Sequence, residues 1–359
     1  MPGLGGMNAP VESMTHVRRV DLRDPDEAAR IDRFVEKLEG SVFHRSAWSL
    51  AVEDGTGNAA CGLALQNGAE LAGWLPLTEV RSPLFGDCLV SSAFGIGGGI
   101  LAQRERNAVL LADAARELAG RLSIDTIELR SPTAPAEWEL VEGKHANFIR
   151  QLEEDDEAQL LAIPRKARAE IRKGLANPLT VTVGSAAEDR VAHYHAFAQS
   201  VRNLGTPVFP RSLFEAMLDR FGDDADILTV RHEGEPVASV LSFYHRGTVM
   251  PFWGGGSLAA RGLRANERMY YELMLHARRR GCTRFDFGRS KTGSGPFAFK
   301  KNWGFEPEPL VYRRWSRGGA TERNIDPTDA GYSAKIELWK KLPLGVANRI
   351  GPWLARGLG

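Results

Sequence analysis

Side chains capable of chemistry are concentrated near the C-terminal end of the chain, in DFGRSKTGSGPFAFKKNWGF, Asp286–Phe305. A lysine set among aromatic rings is partly stripped of water, which depresses its pKa and strengthens its pull on an oxyanion or a phosphate. Lys300 is that lysine, expected on a strand beside Phe297, Phe299 and Trp303, with Lys301 on the opposite face. A lysine snorkelling from an edge strand is the alternative. Asp286 alternates with Phe285 and Phe287 and so faces away from them; with Glu267 it is a candidate proton acceptor. Arg289 follows at a strand end, where its planar fork suits a carboxylate or phosphate. The glycines of the stretch read as a hairpin turn between two strands.

A second group lies upstream. IPRKARAEIRKG, from Ile163, predicts a helix that opens at Pro164 and closes near Gly174. Ile163, Ala167 and Ile171 share one stripe of it, and Arg165, Arg168 and Arg172 share the opposite one. Those arginines either hold an anionic substrate or form a solvated charged face. Arg202 and Asn203 precede a Gly-Thr-Pro turn, and Trp253 is expected at a strand end beside three glycines. Trp253, Tyr244 and Phe209 offer flat faces for a base or sugar ring, or belong to the core.

Other chemistries fail on spacing. GRSKTGSG has no glycine directly before its lysine, so it is not a nucleotide phosphate loop, and Asp286-Phe287-Gly288 has no kinase catalytic loop upstream. No Gly-x-Ser-x-Gly elbow occurs. His193 and His195 are too close in sequence to ligate from one helix face, His245 is isolated, and no metal site is expected.

The elements that must position these residues repeat. FGIGGGILAQRERNAVLLADAARELAGRLSIDTIELRSP, from Phe94, and FWGGGSLAARGLRANERMYYELMLHARRRGCTRFDFGRS, from Phe252, each run aromatic residue, glycines, amphipathic helix, strand and Arg-Ser. Val109, Leu110, Ala114 and Leu118 mark the apolar stripe of the first helix, and Met269, Leu273 and Ala277 that of the second. Upstream, NGAELAGWLPL and HEGEPVASVLSF each read as a glycine turn leading into a strand. Only the second copy carries the lysine pair and the aromatic run; the first copy's ELRSP leads into TAPAEWEL.

The 359 residues allow two such units. A net charge of +1 gives no global pull toward nucleic acid, and DNA is not an expected partner. Three scattered cysteines, Cys61, Cys88 and Cys282, read as small core residues of a reducing compartment. With no signal peptide or membrane-spanning run, the expected location is the cytoplasm. The division expected is a disordered N-terminus over 1–14, an N-terminal unit over 15–162, a C-terminal unit with the active site over 163–318, and a linker and tail over 319–359. The tail, AKIELWKKLPLGVANRIGPWLARGLG, mixes tryptophans and lysines. It either packs on the protein body, with Pro343 and Pro352 interrupting any long helix, or lies peripherally on the inner membrane surface.

On IPRKARAEIRKG, RNLGTPVFPRSLFEAM, FWGGGS and FDFGRSKTGSGPFAFKKNWGF, the chain resembles the FemAB-type acyltransferases, and within them the FemAB-related proteins associated with exosortase/PEP-CTERM systems. The resemblance covers roughly residues 40 to 316. It implies an α/β (α+β) fold of two tandem GNAT-like domains, each a mixed, mostly antiparallel sheet with flanking helices, followed by a helical tail.

It also implies transfer of an acyl or aminoacyl group to an amine in peptidoglycan, cell-envelope or exopolysaccharide synthesis, with Lys300 at the position of the family's assisting lysine. The donor would be an acyl-CoA or an aminoacyl-tRNA used as co-substrate, with no tightly bound cofactor. The acceptor would be a small molecule or a lipid-linked saccharide or peptide. ARGLRANERM lacks the [Q/R]-x-x-G-x-[G/A] spacing that grips the pyrophosphate of acyl-CoA, and the coiled-coil insertion by which some Fem proteins hold tRNA is missing. A non-catalytic sugar- or lipid-binding or scaffold protein of a polysaccharide-synthesis complex is the alternative.

Overall fold

A computed structural model describes residues 15–318 and 333–359. The expectations for residues 1–14 and for the linker at 319–332 lie outside that range. The expected hairpins form: Leu63–Asn67 pairs with Glu70–Leu75, and Ala225–His232 with Glu235–His245. In the N-terminal half the strands divide into a four-stranded and a five-stranded sheet. The break falls at Pro76, between the strands Glu70–Leu75 and Thr78–Val80, where proline has no N–H for a ladder.

The C-terminal half is built on one six-stranded sheet. Its strand Thr248–Gly256 runs through all three glycines, so Trp253 lies inside the strand rather than at its end. The glycines serve close packing: a Cβ on Gly254 would lie 2.9 Å from Val240, and one on Gly256 would lie 2.7 Å from both Ala260 and Asn266.

Three strands cross the division drawn at residue 162, and one of them, His145–Asn147, pairs with Ser290–Lys291 and Glu308–Pro309. Ile149–Gln151, from the N-terminal half, pairs with Arg284–Asp286 in the C-terminal sheet. Tyr312–Ser316, from the C-terminal half, pairs with Thr126–Leu129 and Glu139–Val141 in the N-terminal half. Each half therefore borrows a strand from the other, which fixes their mutual placement through main-chain hydrogen bonds. A shared apolar core does the same: Phe43, Trp48 and Val52 pack with Leu213, Phe214, Phe243 and Trp253.

Helix Arg165–Ala176 buries Ala167 and Ile171, and Ile163 just before it, while Arg165 and Arg172 face solvent, as their periodicity predicts. Helix Ala265–Arg279 buries Met269, Leu273 and Ala277 as expected. In helix Glu105–Arg121 the stripe is rotated from the expected one. Leu111, Ala112, Ala115, Leu118 and Ala119 are buried, and Val109 and Leu110 are exposed. Alanine-rich faces give period analysis little contrast, so the two large side chains drew the assignment to the wrong face. All three cysteines are buried thiols. The tail forms helices Ser333–Lys340 and Leu344–Ala355; the second continues through Pro352, which sits in its last turn, so only Pro343 separates helices. No helix among the described residues is long and apolar enough to cross a membrane.

Candidate active site

The stretch from Asp286 to Phe305 folds differently from the expected hairpin. After a two-residue strand, Ser290–Lys291, the chain turns and enters helix Gly295–Asn302. Ser294 caps that helix, its hydroxyl accepting the N–H of Phe297, and Pro296 occupies the first turn. Ser-Gly-Pro is thus a helix start. Lys300 consequently sits on a helix, and exposed Lys301 is one position around that helix rather than across a strand.

Lys300 is buried. Its Nζ donates to the carbonyls of Gly288, at 2.8 Å, and Arg289, at 3.2 Å. The ammonium also lies 5.4 Å from the ring centres of Phe148 and Phe287. Burial, opposed by the attraction of Asp286, brings its pKa down to about 8. Asp286 is 6% exposed, and burial pushes its carboxyl up to about 6 against the N–H of Gly288, the side chain of Asn147 and the charge of Lys300. Gly288 adopts φ +72°, a conformation that favours glycine. Its N–H is held by Asp286 Oδ1 at 2.9 Å and its carbonyl by Lys300. The acid and the base therefore grip one residue from its two sides.

That residue lies just beyond a parting of strands. Thr248–Gly256 and Arg284–Asp286 are parallel and pair only at Thr248–Arg284 and Val249–Phe285. Beyond this point the first strand stays with its antiparallel neighbour, through a bulge at Phe252, while Phe287 donates to Phe148 on the other side. Tyr270, on helix Ala265–Arg279, fills the gap, its ring 4.7 Å from that of Phe287. At the far end of the parted strand, Ser257 Oγ and Asn266 Oδ1 are buried with no hydrogen-bond partner among the described residues.

Asp286 also lines a cleft of about 180 Å³ between the halves. Glu39, Gly40, Ser41 and Val42 form one wall; His245, Arg246, Thr248, Met250 and Arg284 form the other. His245 Nε2 lies 2.9 Å from the Gly40 carbonyl and Arg246 pairs with Glu36 and Glu39, so the two walls are tied together. Sequence reading left out Arg284, Asn147 and the 39–42 segment. Arg284 was within reach, because it shares the Asp286 face two residues away. The others come from distant strands and loops and carry no local signal.

The remaining sequence candidates are dispersed. Glu267 is half-buried near Arg264 and Glu170, with its pKa raised by burial, and neither Asp286 nor Lys300 is among its charged neighbours. Arg168 donates to the Leu161 carbonyl at 3.0 Å. Arg202 donates to the Lys340 carbonyl and so holds the tail, with Asn203 next to it in the same helix. Tyr244 is buried, bonded to Asp226 and covered by the Arg280 guanidinium. Trp253 and Phe209 are part of the aromatic core. Arg289 is exposed and donates to the Tyr312 hydroxyl at 3.1 Å. Its counterpart in the repeat, Arg130, is buried and donates to the carbonyls of Ser92, Gly95 and Gly359 and to the Glu128 carboxylate. Among the described residues, no group of acids, histidines and cysteines could hold a metal ion.

Comparison with known proteins places these features. Residues 164–301 match the family model of the acetyltransferase (GNAT) domain. Among solved structures the chain is similar to FemX, at 16% identity and a TM-score of 0.63, covering 83% of this chain and 96% of that one. It is also similar to L-PGS from Bacillus licheniformis, at 14% identity and a TM-score of 0.53, with 82% and 92% covered. A tandem GNAT protein from the clavulanic acid biosynthesis pathway gives 13% identity and a TM-score of 0.52, with 86% and 100% covered. No curated protein matches in sequence. The chain thus has a mixed α/β fold similar to that of FemX and of a tandem GNAT protein, and the match to the acetyltransferase (GNAT) domain model falls within its C-terminal half.

Proposed function

We propose that the chain is an N-acyltransferase whose acceptor amine enters the cleft between the halves and gives up its proton to Asp286. The observation that carries this is the pair itself: a buried carboxyl raised to about 6 and a buried ammonium lowered to about 8, joined through Gly288 where two parallel strands part. Environments that push an acid and a base toward neutrality suit proton transfer near pH 7. Above pH 6 the Asp286 carboxylate accepts the proton of an incoming ammonium. The neutral amine attacks the donor carbonyl, the C–N bond forms, the bond to the leaving sulfur or oxygen breaks, and the proton shed by the attacking nitrogen goes to that leaving group, which departs as a thiol or alcohol. Lys300 is a positioning residue that holds the Gly288–Arg289 turn, and Arg289 stands at its exposed rim to meet an anionic part of a substrate.

The donor is an acyl thioester or an aminoacyl ester. Ser257 and Asn266 offer unpaired polar atoms at the far end of the parted strand, where a donor's polar chain would lie. Helix Leu258–Leu263 and a left-handed Arg264, φ +55°, stand between that strand and the long helix. This supports a donor pose other than a pyrophosphate seated on the long helix's start. The division into GNAT-like units over 15–162 and 163–318 belongs to the same proposal, the second unit holding the site and the first supplying a cleft wall. The resemblance to FemAB-related proteins supports an acceptor from cell-envelope or exopolysaccharide synthesis.

The test is a mass-spectrometric screen of acyl-CoAs and aminoacyl-tRNAs against amino sugars, amino acids and peptides. An N-acylated product that disappears in Asp286→Asn is expected. Binding of an acceptor without any product from either donor class would favour a non-catalytic binding protein instead.

A further inference from the structure

The tail's second helix, Leu344–Ala355, is docked with its small residues inward. Ala347, Gly351 and Ala355 are buried, and Gly351 lies so close to Val208 that a Cβ would come within 3.0 Å of its backbone nitrogen. Leu344, at its start, packs against the core, but three large apolar residues point the other way. Val346 is 41% exposed, Ile350 42% and Trp353 61%, at the i, i+4, i+7 spacing of one helical face. Leu338, on the preceding helix, is 66% exposed. A helix serving only to complete the protein body would bury its largest apolar groups, and this one leaves Val346, Ile350 and Trp353 exposed.

The charges around this face are mostly basic, with Glu337 an acid beside Leu338. From Leu338 to Gly359 there is no acidic residue, while Lys340, Lys341, Arg349 and Arg356 are basic. Lys341, Arg349 and Arg356 are exposed, and Lys340 pairs with Glu337. An apolar stripe with an exposed tryptophan and flanking cations is complementary to an anionic bilayer surface, where the ring seats at headgroup level and the cations meet phosphates.

We infer that the outward face of the C-terminal helix, centred on Val346, Ile350 and Trp353, docks the protein on anionic membrane surfaces. The inward face anchors the helix, so docking needs no unfolding of the tail. The two faces of one helix thus divide the labour, Leu344 and the small residues gripping the body and Val346, Ile350 and Trp353 gripping lipid.

The experiment is co-sedimentation of the full chain with phosphatidylcholine vesicles, with and without phosphatidylglycerol, at low and high salt. The wild-type chain is expected to pellet with the anionic vesicles and to be released by salt. The double variant Ile350→Ser/Trp353→Ser and the double variant Lys340→Glu/Lys341→Glu should each lose at least about tenfold in partitioning. Both alter exposed or half-exposed residues, so unchanged far-UV circular dichroism and melting temperature are the check on folding. Equal partitioning of wild type and the serine variant, or no partitioning by either, would overturn the proposal. So would a concentration-dependent dimer abolished by the serine variant in the absence of vesicle binding, which would assign the face to a second copy of the chain.

Discussion

Replacing Asp286 with asparagine should stabilise the protein, by an amount that depends on pH. The carboxyl is raised from its ordinary 3.8 to about 6, principally by burial. An acid whose pKa is higher in the folded state weakens folding wherever it must be ionised. The penalty is absent below 3.8, grows from there to about 6, and is complete above that. A shift of about two units corresponds to roughly 3 kcal/mol. The amide removes this penalty and keeps an oxygen for the Gly288 N–H. That oxygen stands where Asp286 Oδ1 accepts the N–H at 2.9 Å. What is lost is the hydrogen bond from the Asn147 side chain and the attraction to Lys300, and the second loss is capped because a lysine already near 8 can release its proton. A net gain of about 1–3 kcal/mol at pH 8, and about zero at pH 4, is therefore expected. Urea unfolding of both proteins at the two pH values measures it. A difference that does not change with pH, or a destabilisation at pH 8, would refute the description of Asp286 as a buried, strained acid.

Two further outcomes follow from the same geometry. Lys300 has its pKa lowered from 10.5 to about 8, so its burial penalty is full below pH 8 and fades as pH rises to 10.5. Wild-type stability should gain about 3 kcal/mol across that window from this group, and Lys300→Met should flatten the rise while lowering turnover at least about tenfold. Gly205, at φ +83°, lies where any Cβ would strike Ile336 of the tail. Gly205→Val should cost about 1–3 kcal/mol through backbone strain and release that helix, read as faster amide exchange over residues 336–341.

Much of the fold was legible because it rests on local patterns. The hairpin glycines, the Ile163–Ala167–Ile171 stripe and the Met269–Leu273–Ala277 stripe each state their element within a dozen residues. The strand exchange was not legible, because pairing of Ile149–Gln151 with Arg284–Asp286 joins segments far apart in sequence and leaves no periodic trace. Helix Gly295–Asn302 was misread as a strand because aromatic residues favour strands, yet Ser294 and Pro296 form a helix start that outweighs that propensity. At the candidate site, Asp286 and Lys300 were both named from the sequence, and the structure brings them to the two sides of one residue. Their connection through Gly288 was not legible, since a left-handed glycine held by a side chain on either flank is visible only in three dimensions. Tyr244 and Trp253 were named for their rings, and the buried hydrogen bond of one and the core packing of the other show how often such rings serve stability.

The central claim is that Asp286 takes the acceptor's proton, and the pH dependence of kcat/KM for N-acyl transfer tests it most directly. A general base at Asp286 requires the wild-type rate to rise through an apparent pKa of about 6, and Asp286→Asn to lose that limb and fall about 10²- to 10⁴-fold with its fold intact. A folded Asp286→Asn protein that transfers at the wild-type rate with the same acid limb would contradict it.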